Sequence, residues 1–63
     1  SNISDSARVS TLLELGGQYY RTDPAQARKL ALEARDLAAK GGYKDGLARA
    51  YKAMGMSYYF QNN

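Results

Sequence analysis

LLELGGQYY, from Leu12 to Tyr20, and YKAMGMSYY, from Tyr51 to Tyr59, lie 39 residues apart in a chain of 63. At that offset Leu12, Leu15, Gly16, Tyr19 and Tyr20 meet Tyr51, Met54, Gly55, Tyr58 and Tyr59. Within each stretch the large residues, the glycine and the first tyrosine recur at the spacing of one helical stripe. A fixed period of this length is the mark of helical units stacked as a solenoid. A glycine inside a helix costs about 0.5–1 kcal/mol against alanine. Two of them at matched places predict that a partner helix crosses closely at each. Leu12 and Tyr51 are then expected to cover the gap. Tyr19 and Tyr58 are expected to bury their rings while keeping the hydroxyl near water.

Working outward, the first stretch sits in a helix predicted over 5–21. Its stripe is Val9, Leu12, Leu13, Tyr19 and Tyr20, with Gly16 on the same face and Ser4 or Asp5 as the cap. RTDPAQA follows. Asp23 is a natural N-cap, and Pro24 suits the first helical position, where its missing N–H costs nothing. The residue before a proline avoids helical torsions, so Asp23 also separates the two helices. The second helix, predicted over 24–40, carries the stripe Ala27, Leu30, Ala31, Ala34, Leu37 and Ala38. Glu33 stands four after Lys29, and Asp36 four before Lys40, as a solvated charged face. In GGYKDG, Gly41 or Gly42 can take the left-handed conformation that ends a helix. Asp45 can cap a third helix, predicted over 45–61 with the stripe Leu47, Ala50, Tyr51, Met54 and Tyr58. No strand pattern occurs. The fold class is therefore all-α: an antiparallel three-helix array forming one domain over 1–63, about one and a half helix–turn–helix repeats.

Composition narrows the function. The chain has neither cysteine nor histidine. That removes disulfides, thiolate metal sites and the commonest general base. A domain of this size buries only about 60% of the surface its unfolded chain exposes, so stability is expected to be marginal. Net charge is +3, with six acidic residues interleaved among nine basic ones. A nucleic-acid surface usually gathers its cations on one face. No apolar run approaches the length of a membrane span. No targeting segment is visible, which leaves cytoplasm and periplasm both open. The opening Ser1–Asn2 is compatible with a cloning scar. The carboxylates have ready roles as caps or surface charges, and GGYKDG lacks the spacing of a phosphate loop. Neither catalysis, nor a cofactor, nor a metal is expected.

The repeat resembles the tetratricopeptide family, whose first helix reads W-x2-L-G-x2-Y and whose second is marked by alanines. Leu12–Tyr19 carries L-G-x2-Y with leucine for the tryptophan. Tyr51–Tyr58 carries tyrosine for the tryptophan and methionine for the leucine. Ala27 and Ala34 fall at the second-helix alanines. The resemblance spans roughly Val9 to Asn63. Its period is longer than the usual ~34 residues and the closing proline is missing, as in the longer repeat variant of bacterial signalling proteins. The chain is also similar in style to sensor regions of membrane-associated histidine kinases and transcription regulators of Bacteroidetes-type bacteria. It ends after the first helix of the second repeat, which suggests a fragment of a longer solenoid.

The resemblance implies a scaffold that binds a protein or peptide in a concave groove lined by the first helices of successive repeats. The groove positions are then Ser10, Leu13, Gly17, Tyr20 and Arg21, with Arg49, Lys52, Met56, Tyr59 and Phe60 as their equivalents. Aromatic, methionine and basic side chains together suit a peptide with apolar anchors and an acidic group. Tyr20 and Tyr59 serve equally well as packing between helices. The carboxylate clamp of some family members needs asparagines. Glu14 and Ala53 occupy one such position, so that clamp is not expected. One alternative is self-association into a homodimer through Met54, Met56, Tyr58, Tyr59 and Phe60 on the flank of the third helix. A nucleic acid is a weaker third reading.

Overall fold

The computed structural model describes residues 3–62, so the reading of Ser1–Asn2 lies outside the described residues. Three helices follow one another: α1 (Ile3–Gly17), α2 (Pro24–Gly41) and α3 (Lys44–Gln61). No strand occurs among the described residues. α2 is the central element, packed on both α1 and α3, while α1 and α3 touch each other less. The array is elongated, 37 × 15 × 13 Å.

The connections follow from local chemistry. α1 stops at Gly17, short of the predicted Arg21, and its carbonyls are then used at tighter spacing. Gln18 N–H donates to Leu15 O (3.1 Å) and Tyr19 N–H to Gly16 O (3.0 Å). The Gly16–Gly17 pair has the weak helix propensity that allows this early exit. At its other end α1 begins at Ile3, so Ser4 and Asp5 lie inside the first turn instead of capping it. Asp23 caps α2 as expected: its Oδ1 accepts the N–H of Gln26 at 3.1 Å, with Pro24 opening the helix. α2 closes in a Schellman motif. Gly42 takes φ +74°, its N–H donates to Ala39 O (3.3 Å), and Tyr43 N–H donates to Ala38 O (2.9 Å). α3 starts one residue earlier than predicted. Its N-cap is Tyr43, which offers no side-chain cap, and Asp45 lies in the first turn, where a carboxylate favours the helix dipole without capping.

The core is made of small side chains. From α2 come Ala27, Leu30, Ala31, Ala34 and Ala38; Leu37, also assigned to that stripe, is half-buried. α1 contributes Val9 and Leu13. α3 contributes Gly46, Ala50, Ala53 and Ser57. This corrects the third stripe: Ala50 is buried and Leu47 and Met54 pack against the core, but Tyr51 and Tyr58 are 54% and 52% exposed. Small residues let the helix axes approach closely. At Gly46 an added Cβ would stand 2.9 Å from Val9 Cγ1. The buried hydroxyl of Ser57 donates to Met54 O at 2.6 Å, so it carries no unmet hydrogen-bond demand.

The paired glycines differ. A Cβ on Gly16 would meet Ala27 O and Leu30 Cβ, each at 3.4 Å, which is the close crossing expected. Gly55 is exposed and faces nothing within 4 Å. Leu12 is half-buried against the core, whereas Tyr51 is 54% exposed. The difference has a simple cause. α2 lies on the glycine face of α1, and no described element lies on that face of α3.

Candidate functional site: a groove between α1 and α3

α1, the turn that leaves it and α3 line a groove of about 310 Å³. Its floor is Leu13 and Ala53, both nearly buried at 8% and 7% exposure. Tyr20 and Met56 form half-buried walls, and the rim carries Glu14, Arg49 and Lys52, all exposed. Helical spacing puts them there. Leu13, Gly17 and Tyr20 recur at i, i+4 and i+7 along α1 and its exit, and Arg49, Ala53 and Met56 repeat that pattern on α3. Arg49 Nη1 donates to Ser10 Oγ at 3.4 Å, a contact that ties the two helices at the rim.

An aromatic and cationic cluster closes one end of the groove. Phe60 stacks on Tyr20 with ring centroids 5.8 Å apart and 15° between planes. Tyr59 meets Phe60 edge-on at 5.2 Å. The Arg21 guanidinium lies 5.4 Å from the centre of the Phe60 ring, within cation–π range. Gly17 stands beside this cluster, since a Cβ there would sit 3.8 Å from Tyr20 Cε2. The residues assigned to a concave surface therefore occupy one side of the molecule. Leu13, Tyr20, Arg49, Lys52 and Met56 line the groove itself, and Gly17, Arg21, Tyr59 and Phe60 group at its end. Tyr20 is both a wall and a packing residue, while Tyr59 is 61% exposed.

Glu14 and Ala53 also line the groove, although the sequence reading treated them only as missing clamp asparagines. The signal for Ala53 was present, four residues after Arg49. Glu14 adjoins the stripe of Leu13 and brings one carboxylate to a rim with two cations. A second hollow of about 270 Å³ adjoins the start of α3, between Ser6, Val9 and Ser10 on one side and Lys44, Asp45 and Arg49 on the other.

Outside the groove, Asp36, four before Lys40, takes the guanidinium of its neighbour Arg35 instead, with Nη2 at 2.8 Å and Nε at 3.1 Å. The hydrogen bond and charge of Asp36 raise the pKa of Arg35, which is already always protonated. Among the described residues no three acidic side chains gather closely enough to hold a metal ion. No described helix is long and apolar enough to cross a membrane. The stretch Met54, Met56, Tyr58, Tyr59, Phe60 does not form one patch. Met54 packs on the core, Met56 lines the groove, Phe60 lies on Tyr20, and only Tyr58 and Tyr59 stand largely exposed.

No protein-family model, curated protein or solved structure matches this chain.

Proposed function

We propose that the chain is a protein-interaction module of tetratricopeptide-like design, and that the α1–α3 groove binds a short peptide carrying an apolar anchor and an acidic group. The observation that supports this reading is the composition of the groove. An apolar floor and walls (Leu13, Tyr20, Ala53, Met56) are joined to Arg49 and Lys52 on the rim. An apolar side chain seated over Leu13 and Ala53 would leave water while a neighbouring carboxylate met the cations, and that pairing of burial with charge-assisted hydrogen bonds gives both affinity and orientation. The volume lies at the small end of ligand sites, which suits a few residues of a peptide more than a whole domain. By its resemblance to the longer bacterial repeat variant, the module belongs to a larger bacterial signalling or regulatory protein.

Fluorescence anisotropy with short labelled peptides tests the reading, each pairing one leucine or phenylalanine with one aspartate, glutamate or free carboxyl terminus. Saturable binding should be lost in Met56→Asp and weakened in Lys52→Glu. Neutral-amide versions of the same peptides should bind less well. If no member binds saturably, or if binding survives both substitutions, the groove is not the site.

A further inference from the structure

α1 and α3 face each other in register. Ser10 meets Arg49 at 3.4 Å, Tyr20 stacks on Phe60, and Val9 lies against Gly46. These contacts come in the same order along both stretches, so the two helices run parallel. The Ser10–Arg49 contact, 39 residues apart, sets the levels across the cleft. Arg49 faces Ser10. One turn further on, Lys52 and Ala53 face Leu13 and Glu14.

The peptide groove does not stop at Arg49. The same side chain lines the second hollow, of about 270 Å³, where Ser6, Ser10, Lys44 and Asp45 surround the buried Val9 and Gly46. The two hollows are thus one cleft with Arg49 at the junction. At the other end Tyr20 and Phe60 close it with rings 5.8 Å apart. Along α3 the cleft offers three stations, at Ala53, at Arg49 and at Asp45–Gly46. Each is one turn from the next, four residues or about 6 Å. An extended peptide puts alternate side chains on one face about 6.6 Å apart. Residues i, i+2 and i+4 of such a segment fall on the three stations in turn.

The chemistry of each station decides what it takes. Leu13 and Ala53, nearly buried, take an apolar side chain. Lys52 stands beside them, but Glu14 on the facing wall opposes a carboxylate placed at that level. Arg49 faces only a hydroxyl. Asp45 lies one turn away on its own helix, yet the guanidinium is turned to Ser10. A carboxylate there accepts from it in the two-pronged geometry that arginine favours. In the second hollow Lys44 and Asp45 bring one charge of each sign and the serines bring hydroxyls. An uncharged hydrogen-bonding side chain fits that surrounding better than an ion.

On the reading that the groove binds a peptide, we infer that its ligand is an extended segment of pattern apolar–x–acid–x–uncharged polar, in either chain direction. The apolar residue lies over Leu13 and Ala53, the acid on Arg49, and the polar residue in the hollow beside Ser6 and Gly46. Arg49 reads spacing as well as charge. An acid one or three residues from the anchor points to the opposite face of the strand and misses it.

Fluorescence anisotropy on the full chain tests the pattern, with short peptides blocked at both ends so that no terminal charge takes part. Each holds one leucine and one glutamate among glycines, set one, two or three residues apart and in both orders. In one of the two orders, spacing two should bind at least about tenfold more tightly than spacing one or three. Arg49→Gln should abolish that preference, and Glu14→Gln should raise the affinity of the spacing-one peptides most. Both residues are exposed, and circular dichroism checks that each variant stays helical. With the chain labelled with nitrogen-15, asparagine added two residues beyond the glutamate should move the amides of Ser6 and Gly46, which the peptide without it leaves in place. Binding that ignores spacing, or an asparagine that leaves Ser6 and Gly46 unmoved, would overturn the pattern while the groove remained a peptide site. If no peptide of the series binds, the peptide reading of the groove falls and the pattern falls with it.

Discussion

Gly46 and Gly55 are both interior to α3, yet replacing each by alanine should move stability in opposite directions. The propensity term is the same for both, a gain of about 0.5–1 kcal/mol from the lower entropy cost and better backbone screening of alanine. At Gly55 nothing stands within 4 Å of the new methyl, so the whole gain should appear. At Gly46 the new Cβ would lie 2.9 Å from Val9 Cγ1 and 3.5 Å from Ala38 Cβ. Val9 is 2% exposed and β-branched, so its methyl has no alternative rotamer to retreat into. Overpacking of this kind costs about 1–3 kcal/mol. The net expectation is a loss of about 0.5–2 kcal/mol for Gly46→Ala.

The two variants should therefore differ by the overpacking cost, about 1–3 kcal/mol, or on the order of 10 °C in Tm for a domain of this size. That is a large fraction of a total stability of about 3–9 kcal/mol. Urea unfolding followed by circular dichroism measures both variants, at micromolar concentration so that association does not contribute. A double-mutant cycle sharpens the attribution. Val9→Ala alone should cost about 2 kcal/mol from lost burial and the space it leaves. In Val9→Ala/Gly46→Ala the inserted methyl finds that space, so the pair should cost roughly 1 kcal/mol less than the sum. If Gly46→Ala stabilises as much as Gly55→Ala, α1 and α3 do not meet at Val9. If Gly55→Ala destabilises, the outer flank of α3 is already covered in the free chain.

Two further expectations concern the boundaries and the core. Asp23→Ala should cost about 1 kcal/mol, because the Gln26 N–H loses its acceptor; Gly42→Ala should cost about 1–2 kcal/mol for a Cβ at φ +74°, and thermal unfolding reads both. Ser57→Ala should stay within about 0.5 kcal/mol of the parent, since the hydroxyl satisfies only itself against a helical carbonyl. Ser57→Val, by contrast, should lose about 1–3 kcal/mol through overpacking at a fully buried site.

Apolar periodicity and turn chemistry were enough to read three helices, the Asp23 cap, the glycine stop and the alanine face of α2, because each depends on residues close in sequence. The faces of α3 were harder to read for a physical reason. A helix with tyrosines and methionine on one side and alanines, glycine and serine on another offers two candidate stripes, and hydrophobicity alone favours the tyrosines. Packing chose the other one. Ala50, Ala53 and Ser57 leave room for α2 to approach, whereas Tyr51 and Tyr58 would hold it away. Gly46 belongs to the same choice, since it admits Val9 from α1. Once the small face is spent on the core, the tyrosine–glycine face is left outward, and the repeat at Leu12–Tyr20 shows how such a face is covered. The groove positions came from the register of the resemblance to the tetratricopeptide family and not from periodicity; of those positions Leu13, Tyr20, Arg49, Lys52 and Met56 line the hollow. Glu14 escaped because a carboxylate beside an apolar stripe reads as solvated surface until Arg49 and Lys52 from the facing helix are placed opposite it. On the groove the carboxylate of Glu14 thus offsets part of the charge that Arg49 and Lys52 bring from α3, and binding of an acidic peptide there should weaken as salt is added.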